Sequence, residues 1–366
     1  MKDKLSNTKL FSQIVELLQS ARSKVIRSVN QTMVTTYFEI GRMLVEEEQN
    51  GQERAEYGKK VIEALSKILT KEFGRGFSIT NIQQMRTFYL VYQKQQTLSV
   101  NFKKAIQQTK SVKSKKEKSE TSSDQPTQET RSVDFNLSWS HYLKLMRIDD
   151  AEERRFYEIE SFKNNWSVRE LKRQFDTALY TRLTLSRSKE EVKKLSKKGL
   201  VIEKPTDAIK DPYILEFIGL PEHSKYSESE LEQKIIDKLE HFLLELGNGF
   251  TFVARQKRLS FEEKHFYIDL VFYNRILKSF VLVDLKIGEL KHQDIGQMQM
   301  YVNFYDREIR LEDENRTIGI ILCKDKTESV VKYTLPENNK QIFASKYKTV
   351  LPSKTELKQL ISEQKG

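Results

Sequence analysis

The sequence predicts a chain in two parts: an all-helical N-terminal region, then a mixed α/β region ordered helix, three strands, helix, strand. Three observations predict it. Apolar residues recur at helical spacing over much of the first 185 positions, strand-like apolar runs begin only after residue 247, and a lysine-rich stretch of the first half shows neither pattern. At 366 residues the chain is long enough for two domains.

The elements follow in order. "KLFSQIVELLQSARSKVI" sets Phe11, Ile14, Leu17 and Leu18 on one helical face, and "TYFEIGRMLVEEE" and "KKVIEALSKILTKEF" repeat the pattern. The last of these ends at "GRGFS", where Gly74 or Gly76 can turn left-handed and Ser78 can cap "SITNIQQMRTFYLVYQ". Helix, glycine turn, helix is compatible with a DNA-binding helix-turn-helix, and equally with the connection inside any helical bundle. A stretch at about 103–132, poor in large apolar residues and rich in Lys, Ser, Thr and Gln, reads as a disordered insert.

Helical pattern resumes in "SWSHYLKLMRI" and "AEERRFYEIESFKNN". In "WSVRELKRQFDTALYTRL", Ser167 and Glu170 form an S-x-x-E capping box, and Arg169, Lys172, Arg173 and Arg182 make a basic face, either solvated or set against phosphates. The expected division is a helical domain at 1–185, a basic linker at 186–212 and a second domain at 213–366. There, "SESELEQKIIDKLEHFLLELG" reads as one helix closed by Gly247. "GFTFVARQKRLSF", "HFYIDLVFYN" and "SFVLVDLKIG" read as strands, "KHQDIGQMQMYVNFYDRE" as a helix and "TIGIILC" as a buried strand.

The formal net charge is +11, and two segments hold nearly all of it: +6 between Lys103 and Lys118, and +4 between Ser186 and Leu200. Such runs are ordinarily solvated, yet they can add sequence-independent phosphate contacts, so nucleic acid is the first polyanion to expect. The single cysteine, Cys323, excludes an internal disulfide framework and fits a reducing compartment. No run reaches the length of a membrane span, so the cytoplasm is the expected location and no membrane partner is expected.

The chemistry gathers in two strands. Asp269 lies inside the apolar "YIDLVFY", and fifteen residues later come Asp284, Leu285 and Lys286. Residues two apart on a strand share a face, so a carboxylate and an ammonium sit together on a largely buried element, which is costly unless they are paired or bind a metal. If the strands form a hairpin around "NRILKS", both carboxylates converge at one end of a sheet, where they repel unless a cation lies between them. Mg²⁺ suits that arrangement, and a lysine beside it can stabilise charge on a phosphate. The tripeptide Asp-x-Lys alone has little specificity, and an edge salt bridge is its ordinary meaning. Both strands and the helix after them make it informative. The five histidines show no zinc spacing, and no Walker loop, dinucleotide fingerprint or G-x-S-x-G is present.

These stretches resemble the PD-(D/E)XK nuclease superfamily, and more closely its two-domain YhcG-like branch. The likeness lies in "LLELGNGFTFVARQ", "FYIDLVFYNRILKSFVLVDLKIG", "DIGQMQMYVNFYD" and "IGIILCKDK", and earlier in "ERAEYGKKVIEALS", "FGRGFSITNIQQMRTFY" and "WSVRELKRQF". It implies an αβββαβ, restriction-endonuclease-like core with a mixed sheet, Asp269 and Asp284 as metal ligands, and Lys286 as the catalytic lysine. It also implies that Gln297 and Tyr301, a Q-x-x-x-Y pair on one helical face, belong to the catalytic set and turn toward the site and the nucleic-acid backbone. Glu232 is the candidate for a third ligand from the first helix, although Ser229 and Glu232 also spell a capping box. Gln256 faces either the site or solvent. The function expected is a metal-dependent nuclease using Mg²⁺, with Mn²⁺ as substitute, acting on DNA in preference to RNA. The alternative is a catalytically silent nucleic-acid-binding or assembly protein on the same fold. Long N-terminal helices are compatible with a homodimer.

Overall fold

The structure, a computed structural model, describes residues 2–50, 55–93, 135–185, 189–221, 226–352 and 356. The chain divides into two compact units, Met1–Arg154 and Arg155–Gly366. No helix among the described residues is long and apolar enough to cross a membrane.

The first unit is helical: α1 (Lys2–Asn50), α2 (Ala55–Phe73), α3 (79–93) and α4 (Trp139–Leu145). Gly74 and Gly76 carry the chain out of α2 at φ of 78° and 127°, and Ser78 Oγ accepts the Asn81 N–H at 3.2 Å, so the expected turn and cap are formed. Leu44, Ile62 and Ile82 join α1, α2 and α3 in one apolar cluster. Phe38, Phe88, Phe135 and Tyr142 make a second, aromatic one, with ring centroids 5.0–5.8 Å apart along the chain of contacts. Gly41 lets α1 approach α3 closely, since a Cβ there would lie 2.2 Å from the Met85 carbonyl oxygen. The expected insert at 103–132 lies outside the described residues.

The second unit begins within α5 (Ala151–Lys163) and continues through α6 (Val168–Asp176), α7 (Leu179–Leu185), α8 (Lys189–Lys198) and α9 (Pro205–Ala208). Ser167 caps α6 by accepting the Glu170 N–H at 3.2 Å. Residues 155–185, expected with the helical domain, and the basic stretch expected as a linker both fall in this unit. Arg182 Nη1 pairs with Glu245 Oε1 at 2.8 Å with both side chains at most 1% exposed, and Arg173 bridges Glu216 at 2.7 Å and Glu245 at 3.3 Å. Two of the four expected basic-face residues are thus committed to internal carboxylates, while Arg169 and Lys172 remain exposed.

The sheet has six strands in the order β1-β6-β5-β4-β3-β2: β1 (Tyr213–Ile214), β2 (Phe250–Phe261), β3 (Lys264–Asn274), β4 (Ser279–Glu289), β5 (Ile318–Asp325) and β6 (Ile342–Lys348). Strands β2, β3 and β4 form an antiparallel meander, and β4, β5, β6 and β1 run parallel. Parallel neighbours need a crossover, which α12 (His292–Phe304) supplies between β4 and β5. One face packs Leu270, Val283 and Leu322 against Leu231, Ile235 and Phe242 of α10 (Glu228–Asp237) and α11 (Leu239–Leu246). The other packs Val271, Leu282 and Ile321 against Ile295, Met298 and Val302 of α12. Both faces of β4 are therefore covered, which explains its unbroken apolar run. The expected order of helix, three strands, helix, strand is present as α11, β2–β4, α12 and β5. The structure adds β1, β6 and α13 (Glu328–Thr334), and breaks the first helix at Lys238.

Candidate active site

The site begins where a ladder stops. The last register pair between β3 and β4 is Leu270 with Val283, so the next residues along the two strands are Asp269 and Asp284. Beyond them β3 remains paired with β2, and β4 remains paired with β5 through Lys286 opposite Cys323. The Leu285 N–H donates to Asp269 Oδ2 at 2.7 Å. A side chain thus replaces the strand at the fork, and the sheet brings together the two carboxylates that the sequence placed in neighbouring strands.

Asp284 is 3% exposed. Its Oδ2 lies 2.8 Å from Lys286 Nζ, an ion pair without hydrogen-bond alignment, and this buried oxygen has no hydrogen-bond partner. Burial pushes the Asp284 carboxyl up to about 7; Lys286 opposes that shift and Asp269 adds to it. Burial also raises Asp269, against the Leu285 N–H, the Lys286 charge and the Gln256 amide. Burial would lower Lys286, but the Asp284 carboxylate holds it up at about 12. Lys286 also stands 3.8 Å from Glu228 Oε2.

Glu232 illustrates how phase decides a role. "SESELE" contains two overlapping capping frames, and the helix uses the earlier one: Ser227 and Glu230 form the box, not Ser229 and Glu232. Glu232 is therefore turned inward and 4% exposed. Arg255 Nε donates to its Oε1 at 3.0 Å and Gln256 Nε2 to its Oε2 at 2.6 Å. The same Gln256 nitrogen donates to Asp269 Oδ1 at 3.1 Å. Of the two orientations open to Gln256, the structure has the one facing the site. Among the described residues no three His, Cys, Asp or Glu side chains converge to hold a metal, so Glu232 meets Asp269 through an amide.

Gln297 and Tyr301 do share a face of α12, and the Gln297 amide donates to the Tyr301 hydroxyl. That hydroxyl donates in turn to the Tyr267 carbonyl at 2.8 Å, two residues before Asp269. Tyr301 is fully buried, and burial raises its pKa. Its contact ties the crossover helix to β3. Arg255 and Gln256 were the residues hardest to foresee, because a register shift between Phe252 and Ala254 sets which β2 side chain lies opposite Asp269.

Mg²⁺ takes oxygen ligands and is commonly held by one or two carboxylates, its remaining positions left to water and phosphate. Asp269 and Asp284 satisfy that requirement: two carboxylates meet at the end of one ladder, and the only cation beside Asp284 Oδ2 among the described residues is the Lys286 ammonium at 2.8 Å. The residues present fit a divalent ion.

Residues 206–362 match the family described as the YhcG PDDEXK nuclease domain, and residues 13–182 match the DUF1016 N-terminal domain. The chain is 40% identical over 348 residues to "Putative nuclease YhcG" of Escherichia coli (strain K12), covering 94% of this chain and 90% of that one. Among solved structures it is similar to a repair endonuclease from Pyrococcus abyssi, at 20% identity over 34% of this chain and 49% of that one with a TM-score of 0.24. It is also similar to EndoMS in the EndoMS–dsDNA2 complex, at 16% identity over 37% of this chain and 51% of that one with a TM-score of 0.26. The chain spans about half the length of these solved structures.

Proposed function

The chain belongs to the YhcG PDDEXK nuclease family, and from that premise we propose that it is a Mg²⁺-dependent endonuclease that hydrolyses phosphodiester bonds in DNA. The observation that carries this reading is the adjacency of Asp269 and Asp284 at the end of the β3–β4 ladder, with the Lys286 ammonium 2.8 Å from Asp284. Asp269 and Asp284 would hold the cation, which would supply Lewis-acid stabilisation of charge on the phosphodiester oxygens.

The chain's own groups do the rest. Lys286 is held protonated far above neutral pH, so it acts as a fixed positive donor. It orients water by hydrogen bonding and stabilises negative charge growing on the phosphate. Leu285 and Gln256 fix the Asp269 carboxylate, one at each oxygen. Tyr301 and Gln297 position β3 rather than touch the reacting atoms. Exposed Arg169, with the basic stretch before residue 200, is available for phosphate contacts that carry no sequence information, while Lys172 pairs with Asp176. The same reading takes the protein as a homodimer joined through the exposed apolar side chains of α1, among them Phe11, Leu17 and Leu18, which sedimentation tests.

Cleavage of plasmid, linear and single-stranded DNA, with RNA as competitor and with or without Mg²⁺, tests the assignment. Wild-type protein should cut only with the metal, and Asp284→Ala should not cut. Equal activity of the two would remove the mechanism. Binding without cleavage by wild-type protein would leave the silent nucleic-acid-binding reading.

A further inference from the structure

We propose that Gln256 is a positioning residue: its amide nitrogen bridges buried Glu232 to Asp269 and so fixes the direction in which Asp269 offers an oxygen to the cation. The proposal rests on the metal-site reading above and assigns Glu232 a different part in it, that of an anchor.

Four observations carry it. One nitrogen donates to both carboxylates, at 2.6 Å to Glu232 and 3.1 Å to Asp269. Gln256 lies between the register pairs Arg255–Leu270 and Lys257–Ile268, directly across from Asp269. Its φ is 45°, a left-handed conformation that favours glycine, yet the position holds a side chain with the reach to span two acids. Finally, the Glu232 end of the bridge is immobile, because Arg255 occupies its other oxygen at 3.0 Å and the side chain is 4% exposed.

The physical effect is a loss of freedom at Asp269. Its Oδ2 is fixed by the Leu285 N–H and its Oδ1 by Gln256, so the carboxylate cannot rotate about its last bond without breaking one of them. Ligands held in this way bind metal more tightly, because the orientation is set before the ion arrives. Gln256 also separates two carboxylates that would otherwise face each other with nothing between them.

The backbone supplies an unusual test. Gln256→Gly removes the amide and relieves the left-handed strain, whereas Gln256→Ala removes the amide alone, so comparing the two separates stability from metal binding. Mn²⁺ is the probe, its affinity read by calorimetry and by its electron paramagnetic resonance signal on the full-length protein. Gln256→Gly should melt above Gln256→Ala while binding Mn²⁺ about 10–100-fold more weakly than wild type, the usual scale for losing a partner that orients a ligand. Gln256→Ala should bind as weakly. Adding Glu232→Ala to Gln256→Ala should weaken binding little further, since both break the same bridge. Unchanged Mn²⁺ affinity in Gln256→Gly would overturn the proposal. So would multiplying losses in the double variant, which would make Glu232 a ligand in its own right. Failure of the wild-type protein to bind Mn²⁺ at all would instead sink the metal site itself, and the role of Gln256 with it.

Discussion

The Leu285 N–H donates to Asp269 Oδ2 at 2.7 Å, at the point where β3 and β4 cease to pair. A single side chain therefore serves two purposes: it satisfies a main-chain donor at the fork of the sheet, and it holds a carboxylate beside Asp284. The two purposes can be separated by substitution.

Asp269→Asn keeps an oxygen that can accept the Leu285 N–H but loses the charge. It sets an amide nitrogen against the Gln256 donor, so it should fold with a smaller loss of stability than Asp269→Ala and lose cleavage by ~10²–10³-fold, the scale of removing one electrostatic group from a reacting centre. Asp269→Ala loses both and should in addition cost about 1–3 kcal/mol for the unsatisfied N–H. Urea titrations beside cleavage rates separate the variants.

Lys286→Met tests the ammonium alone. The side chain is 17% exposed, and its stem can be replaced by one of similar length. Cleavage should fall ~10²–10³-fold while Mn²⁺ binding persists, because the ligand oxygens remain and the competing cation is gone. Loss of both together would make Lys286 a structural partner of Asp284 only.

Glu245 should set the acid limit of the second unit. Burial alone would raise its pKa, but Arg182, Lys210 and Arg173 hold it down at about 2. A carboxyl depressed in the folded state contributes stability that is fully present above its unfolded value near 4.5 and is lost as pH falls through about 2. Unfolding midpoints in urea between pH 6 and pH 2 should decline across that window. Glu245→Ala should remove the decline and cost about 3–5 kcal/mol at neutral pH, because Arg182 is left buried without its partner.

Tyr301→Phe removes the hydroxyl that bonds to the Tyr267 carbonyl at 2.8 Å. If Tyr301 acts by holding β3, the variant should lose about 1–3 kcal/mol of stability and retain most of its cleavage rate. A collapse of the rate at unchanged stability would place the hydroxyl in the reaction.

In the helical unit, Gly41→Ala sets a methyl group 2.2 Å from the Met85 carbonyl oxygen. The two helices must separate, at about 1–3 kcal/mol, the usual cost of overpacking. Circular dichroism melts of wild type and variant would measure it.

What could be read in advance divides along physical lines. Asp269, Asp284 and Lys286 were legible because strand alternation is local, and charges inside apolar runs demand a reason. The strand β5 was legible for the same cause: "TIGIILC" is apolar on both faces, as a central parallel strand requires. The side taken by Gln256 stayed open between site and solvent, because its position opposite Asp269 depends on a one-residue register shift earlier in β2. Glu232 was ambiguous because Ser229 and Glu232 also spell a capping box, and only the helix's use of Ser227 and Glu230 as its cap decides the phase. Strand β1 is two residues long and β6 mixes lysines with aromatics, so neither carries a periodic signal. The pairing of α7 with α11 could not be read in advance, because the partner of Arg182 lies 63 residues further along the chain.

That last pairing bears on how such genes can be shuffled. A recombination joint in the stretch 186–212 would carry Glu245 into its new host and leave Arg173 and Arg182 behind, whereas a joint ahead of residue 155 would transfer acid and bases together. The smallest exchangeable cassette is therefore longer than the catalytic fold it encloses: a polypeptide of residues 155–366 should accumulate in soluble form where one of 213–366 precipitates.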